Sequence, residues 1–161
     1  MTGVLREATT ISFGDEFVGE GWHFRQPHGD GDVRWTGPEP ESWVDFPLSI
    51  PAGSTVEVHV VGSVDDKIAA GMTLDVNGAR VPLTVTLLPE GGLRYSGTVR
   101  AHPSQPSARL VIRVPYTVPF PKPPQRAKID PRVGVAVTSI LLSPPDRSAD
   151  PHGAATTVTR R

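Results

Sequence analysis

The chemistry of the chain is densest over residues 21–38. The stretch reads Gly21-Trp22-His23-Phe24-Arg25-Gln26-Pro27-His28-Gly29-Asp30-Gly31-Asp32-Val33-Arg34-Trp35-Thr36-Gly37-Pro38. It gathers two of the three tryptophans, two of the five histidines and two arginines. Indole rings stack on the apolar faces of sugars or cap hydrophobic slots, and Arg, His and Asp supply directional hydrogen bonds. Recognition of a sugar needs that mix, so Trp22, His23, Arg25 and Arg34 are the candidate ligand contacts. Packing competes for the same side chains, because Trp is highly buried on average. Trp35 is expected in the core, Trp22 stands between core and ligand, and Trp43, heading an apolar strand with Val44 and Phe46, is expected in core or rim.

Asp30 and Asp32 flank Gly31 and could supply two of the six or more oxygen ligands that calcium takes. The rest of an EF-hand loop is missing, since no Glu follows at the required distance. The bland alternative is a polar hairpin turn. Calcium is therefore the one cofactor the sequence suggests. His23 and His28 are five residues apart, and three or four convergent zinc ligands cannot be assembled from the sequence. Glu57 and His59 form a His/Glu pair on one strand face, read as solvated surface. There is no Gly-x-Ser-x-Gly elbow and no cysteine, so nucleophilic catalysis has no support. Phosphate-cradling glycine loops are also missing. Asp65-Asp66 is an adjacent aspartate pair, and the start of a helix explains it.

These groups sit on a chain of 161 residues with net charge −1, the length of one domain with a sizeable core. Lys+Arg 16 balances Asp+Glu 17, so no broad basic field exists for nucleic acid or anionic lipid. The absence of cysteine excludes disulfides and thiolate metal sites. No basic flank leads into an apolar run at the N-terminus, and no stretch approaches the ~20 apolar residues that cross a bilayer. A cytoplasmic location is the expectation. An arginine-heavy basic set with abundant Ala, Val, Gly and Pro fits a bacterial chain encoded by GC-rich DNA.

Gly 16 and Pro 18 argue against a helix bundle. Period-two apolar alternation recurs instead, at Val56/Val58/Val60, Val81/Leu83/Val85/Leu87, Leu110/Ile112/Val114 and Val133/Val135/Val137. That is the pattern of strands with one buried face. Shorter strands are expected over 10–13, 33–36, 43–48, 73–77 and 93–99. Asn77-Gly78 predicts a tight hairpin, and Pro89-Glu90-Gly91-Gly92 a second. One helix of at most two turns is expected over 64–70. The fold class is all-β, an antiparallel two-sheet sandwich of jelly-roll type with at most one short helix. Residues 1–9 read as a lead-in, 10–143 as the sandwich, 115–131 as a long proline-rich loop and 144–161 as a disordered tail. Within that loop Pro119-Phe120-Pro121-Lys122-Pro123-Pro124 could present a polyproline II segment to a protein partner.

Gly21-Trp22-His23, Arg34-Trp35-Thr36-Gly37-Pro38, the strand Trp43-Val44-Asp45-Phe46-Pro47-Leu48, the run from Leu74 to Leu83 and the closing run from Asp130 to Leu142 follow one another in a recurring order. This order resembles the non-catalytic β-sandwich domains attached to bacterial glycosyltransferases and other surface-glycan proteins. Those are similar to galactose-binding-like and carbohydrate-binding jelly rolls. The resemblance spans about residues 10–143. It implies a glycan-binding or accessory module of cell-envelope glycan assembly and implies no catalytic residues. Two alternatives remain: an interaction domain docking onto a glycosyltransferase or another partner, and a small cupin-like or lyase-type enzyme acting on a sugar.

Overall fold

The structure is a computed structural model, and it describes residues 3–13, 16–23, 25–28, 31–100, 106–119 and 132–145. In chain order the first strands are β1 (Gly3–Val4), β2 (Thr9–Ser12), β3 (Val18–Glu20), β4 (Gln26–His28), β5 (Gly31–Trp35), β6 (Glu41–Phe46), β7 (Leu48–Ser49) and β8 (Thr55–Ser63). A short helix α1 (Asp66–Ala70) follows. The chain continues through β9 (Thr73–Val76), β10 (Ala79–Val81), β11 (Thr84–Leu87), β12 (Leu93–Thr98), β13 (Ala108–Arg113), β14 (Val118–Pro119), β15 (Arg132–Val133) and β16 (Val135–Ser143).

Two antiparallel sheets face each other. One runs β10-β9-β13-β6-β3, and the other runs β11-β12-β8-β16-β5-β4, with β2 also paired to β16. Apart from the hairpins β4–β5, β9–β10 and β11–β12, the chain changes sheet between successive strands of the two sheets, which is the winding of a jelly roll. The all-β sandwich expected from the alternation is what forms. Its core is built by the inward positions: Val44, Phe46, Leu74, Val76, Leu110 and Ile112 from the five-stranded sheet, and Val56, Val58, Val60, Tyr95, Ile140 and Leu142 from the seven-stranded one. Each such aliphatic side chain, fully buried, contributes roughly 1.5–3 kcal/mol. Helix α1 starts at Asp65, whose carboxylate accepts from the Lys67 N–H at 2.9 Å, and it buries Ile68 and Ala69. The Tyr95 hydroxyl donates to the Ala69 carbonyl at 2.6 Å and ties the helix to β12.

Local chemistry explains both hairpins. Val76 pairs with Ala79 across Asn77 (φ 49°) and Gly78 (φ 84°), the two positive-φ positions of a type I′ turn. The Asn77 amide oxygen also accepts from the Arg109 N–H at 2.8 Å, fixing the hairpin to β13. The longer loop between β11 and β12 closes through the Leu88 N–H to the Gly92 carbonyl at 3.0 Å.

Four features depart from the alternation. The run from Val81 to Leu87 is not one strand: Val81 ends β10 in one sheet, Pro82 carries the chain across, and β11 becomes the edge of the other. At that edge Val85 is 52% and Leu87 75% exposed, so the apolar face expected to be buried is open there. Trp43 lies on the outer face of β6, because Ser42, Val44 and Phe46 take the inner positions. β16 keeps Val135 and Val137 inside, shifts register around Thr138, and then turns Ile140 and Leu142 inward. Finally, the lead-in belongs to the fold: β1 pairs in parallel with β7, and Leu5 is buried in the core.

Val118↔Val133 and Pro119↔Arg132 pair at the base of the proline-rich segment. The rest of that segment, 120–131, and the tail from 146 lie outside the described residues. Among the described residues no helix is long and apolar enough to cross a membrane.

Candidate functional site

The seven-stranded sheet turns a polar face away from the core. The odd-numbered residues of β8 and the even-numbered residues of β11 and β12 share that face, because the register aligns Thr84↔Ser96↔Glu57 and Thr86↔Arg94↔His59. Thr55, Glu57, Thr84, Arg94, Ser96, Gly97 and Thr98 line a groove of about 460 Å³ on it. Glu57 Oε1 lies 3.5 Å from Arg94 Nε and 3.8 Å from His59 Nε2. These are ion-pair distances beyond normal hydrogen-bond reach. Among the described residues neither the Glu57 carboxylate nor the Arg94 guanidinium makes a hydrogen bond, and the Thr55, Thr84, Ser96 and Thr98 hydroxyls make none either. His59 Nε2 is shut off from solvent without a hydrogen-bond partner. A carboxylate and a guanidinium held to each other only as a loose ion pair, with four dual-role hydroxyls that make no hydrogen bond among the described residues, thus stand around one groove.

The outer face of the five-stranded sheet is the opposite case. Arg109 grips Asp45 with two bonds, 2.7 and 2.9 Å, while its guanidinium lies 3.8 Å from the Trp43 ring centroid. Arg113 bonds Glu41 at 2.9 Å and also bonds Asp75, which accepts from Arg80 at 2.6 Å. Desolvation pushes the Asp75 carboxyl up, but the hydrogen bonds from Arg80 and Arg113 outweigh it and hold the carboxyl below its ordinary value. The hydrogen bond to Asp75 raises Arg113, and the one to Asp45 raises Arg109. The charges of this face are already satisfied by one another.

The residues singled out in the sequence divide. Trp22 and Arg34 share a second cleft of about 320 Å³ with Glu16, Phe17, Gly19 and Glu20. The Trp22 ring packs 4.6 Å from the Phe13 centroid and edge-on to Phe17, and its indole N–H donates to the Trp43 carbonyl at 3.0 Å. Arg34 donates to the carbonyls of Phe13 and His23, both at 3.2 Å, and stands 5.1 Å over the Phe17 ring. His23 points elsewhere: its Nε2 donates to the Arg132 carbonyl at 2.7 Å. Arg25 is exposed beside β4. Asp32 pairs with Pro27 in the β4–β5 hairpin, and Asp30 lies outside the described residues, so the calcium turn is not assembled from described groups. Among the described residues no group of three or more His, Asp or Glu could hold a metal ion. Of the candidate partner segment only Pro119 is described.

The groove residues were missed as a set. Their one sequence signal was the Glu57/His59 pair, read as solvated surface. Arg94, Ser96 and Thr84 join it only through strand register. No protein-family model matches the chain, and no curated protein matches it.

Proposed function

We propose that the chain is a non-catalytic carbohydrate-binding module of bacterial cell-envelope glycan assembly or recognition, and that it holds its sugar in the groove of Glu57, Arg94, Ser96, Thr84 and Thr98. The hydrogen-bonding capacity left over in that groove, four hydroxyls and a loosely paired carboxylate and guanidinium, carries the reading. A vicinal diol offers both donors and acceptors at close spacing, and a carboxylate beside a guanidinium among hydroxyls complements it. Among the described residues no aromatic side chain lines the groove, so recognition rests on hydrogen bonds and is weak for a monosaccharide. The Trp22–Arg34 cleft has aromatic edges with Arg and two Glu, but its polar reach is reduced because Arg34 already serves two backbone carbonyls.

The test is an amide NMR titration of the labelled full chain against mono- and oligosaccharides. Saturable shifts over 55–57, 84–86 and 94–98 are expected. Arg94→Ala and Glu57→Gln should each weaken binding roughly ten- to hundredfold, the range of a hydrogen bond to a charged group, with thermal midpoints unchanged. A flat response from a well-dispersed spectrum removes the reading. Shifts confined to Phe17, Trp22 and Arg34 move the site to the second cleft.

A further inference from the structure

The outermost strands of the two sheets are guarded unequally. An open strand edge is a template for pairing, and proteins blunt it with short strands, charge or proline. β4 carries Pro27, β10 carries Arg80 and runs into Pro82, and β3 is three residues long and ends in Glu20. β2, beside β5 on β16, turns its one apolar side chain, Ile11, against the core. β11 is also short, at four residues, but has neither of the other two devices. It reads Thr84-Val85-Thr86-Leu87, with no charge and no proline, and both of its apolar side chains are largely exposed. Leu87 also borders a hollow of about 290 Å³ lined by Val60, Leu93 and Ala69 together with Ser63 and Asp66.

We infer that β11 is a self-association edge: two copies of the chain pair antiparallel through this strand about a two-fold axis. Among the described residues the outer edge of β11 is unpaired and calls for an extended strand, and β11 itself is complementary to the site. With the axis at Thr86, Val85 faces Leu87 of the partner subunit twice on the inner side, with Thr86 meeting its own counterpart on the outer side. No like charges oppose each other in that register. Thr84 and Thr86 share the outer face with the groove, so the partner subunit's Thr84 and Thr86 continue the groove floor across the axis. A four-residue ladder is only about 14 Å long. It falls short of the roughly 800 Å² per partner of a standard-size interface, so the dimer is concentration-dependent. The inference stands on the edge alone and does not require the sugar reading.

Sedimentation of the full chain over a concentration series should show a shift from monomer to twice the monomer mass. Leu87→Lys, at a position already open to solvent, should abolish the shift with the far-UV spectrum and thermal midpoint kept. The chain has no cysteine, so Thr86→Cys introduces a single thiol placed at the axis. It should cross-link to a disulfide dimer under mild oxidation far faster than Val18→Cys, an exposed control on β3. A monomer at every concentration overturns the inference, and an occupant of different sequence then covers the edge. So does a dimer that survives Leu87→Lys, or a Thr86→Cys cross-linking rate no greater than the control. None of these readouts involves sugar, so failure here and failure of the glycan reading are separate results.

Discussion

Tyr95 and Asp75 show how single side chains set the pH range of this fold. Tyr95 is buried, and desolvation pushes its hydroxyl up to about 12. A group whose folded value is raised contributes stability below its unfolded value and loses it as pH rises toward the folded one. Stability should therefore fall between pH 10 and about pH 12. Tyr95→Phe should flatten that alkaline limb while costing roughly 1 kcal/mol at neutral pH, because the Ala69 carbonyl keeps only the longer bond from the Met72 N–H at 3.3 Å. Thermal midpoints of both proteins against pH check this. Asp75 runs the other way: its folded carboxyl is lowered, so its contribution is present above the ordinary value of 3.8 and is lost as pH falls through the folded value. Asp75→Asn should flatten the acid limb, and Asp75→Ala should cost roughly 2 kcal/mol in denaturant melts. Neither role was legible in the sequence. Tyr95 and Asp75 acquire their partners from elements up to 38 residues away.

At the scale of elements, glycines separate turns that need their freedom from strands that need their small size. Gly78→Ala meets no neighbour within 4 Å, so its cost is the strain of φ 84° alone, roughly 1 kcal/mol. Gly97 has an ordinary φ, but a Cβ there would collide with the Pro82 carbonyl and Val81 Cγ1, where the chain crosses between sheets. Gly97→Ala should thus cost more than Gly78→Ala, with Gly62→Ala, in open space, near neutral. Urea midpoints of the three variants rank them. The Asn77-Gly78 hairpin was legible because its chemistry is local. The fate of Val85 and Leu87 was not: the alternation is real, but Pro82 delivers it to a sheet edge, where the inner face is uncovered. The β16 bulge escaped for a related reason, since its neighbours Thr138 and Ser139 carry no turn signal and the shift exists only relative to β8. Glu57, Arg94 and Thr84 become a groove by the same long-range register.

The whole molecule depends on β16, which pairs with β8, β5 and β2 and places Val137, Ile140 and Leu142 in the core. A chain stopped after residue 131 should lack native amide dispersion, and a peptide of residues 132–145 should restore it in trans. The register of β16 with β2 has another effect. Leu142 sits beside Thr9, so the path that leads into the sandwich and the path that leads out of it meet at one end. Topologically the sandwich is a closed ring with a seam at that end, and the seam can be moved. A short linker joining residues 145 and 3, with new termini opened in the exposed loop at Glu90 and Gly91, should give a circular permutant with the same sheets and groove. The same juxtaposition lets the sandwich be spliced into a surface loop of a host protein without prising the host's backbone apart.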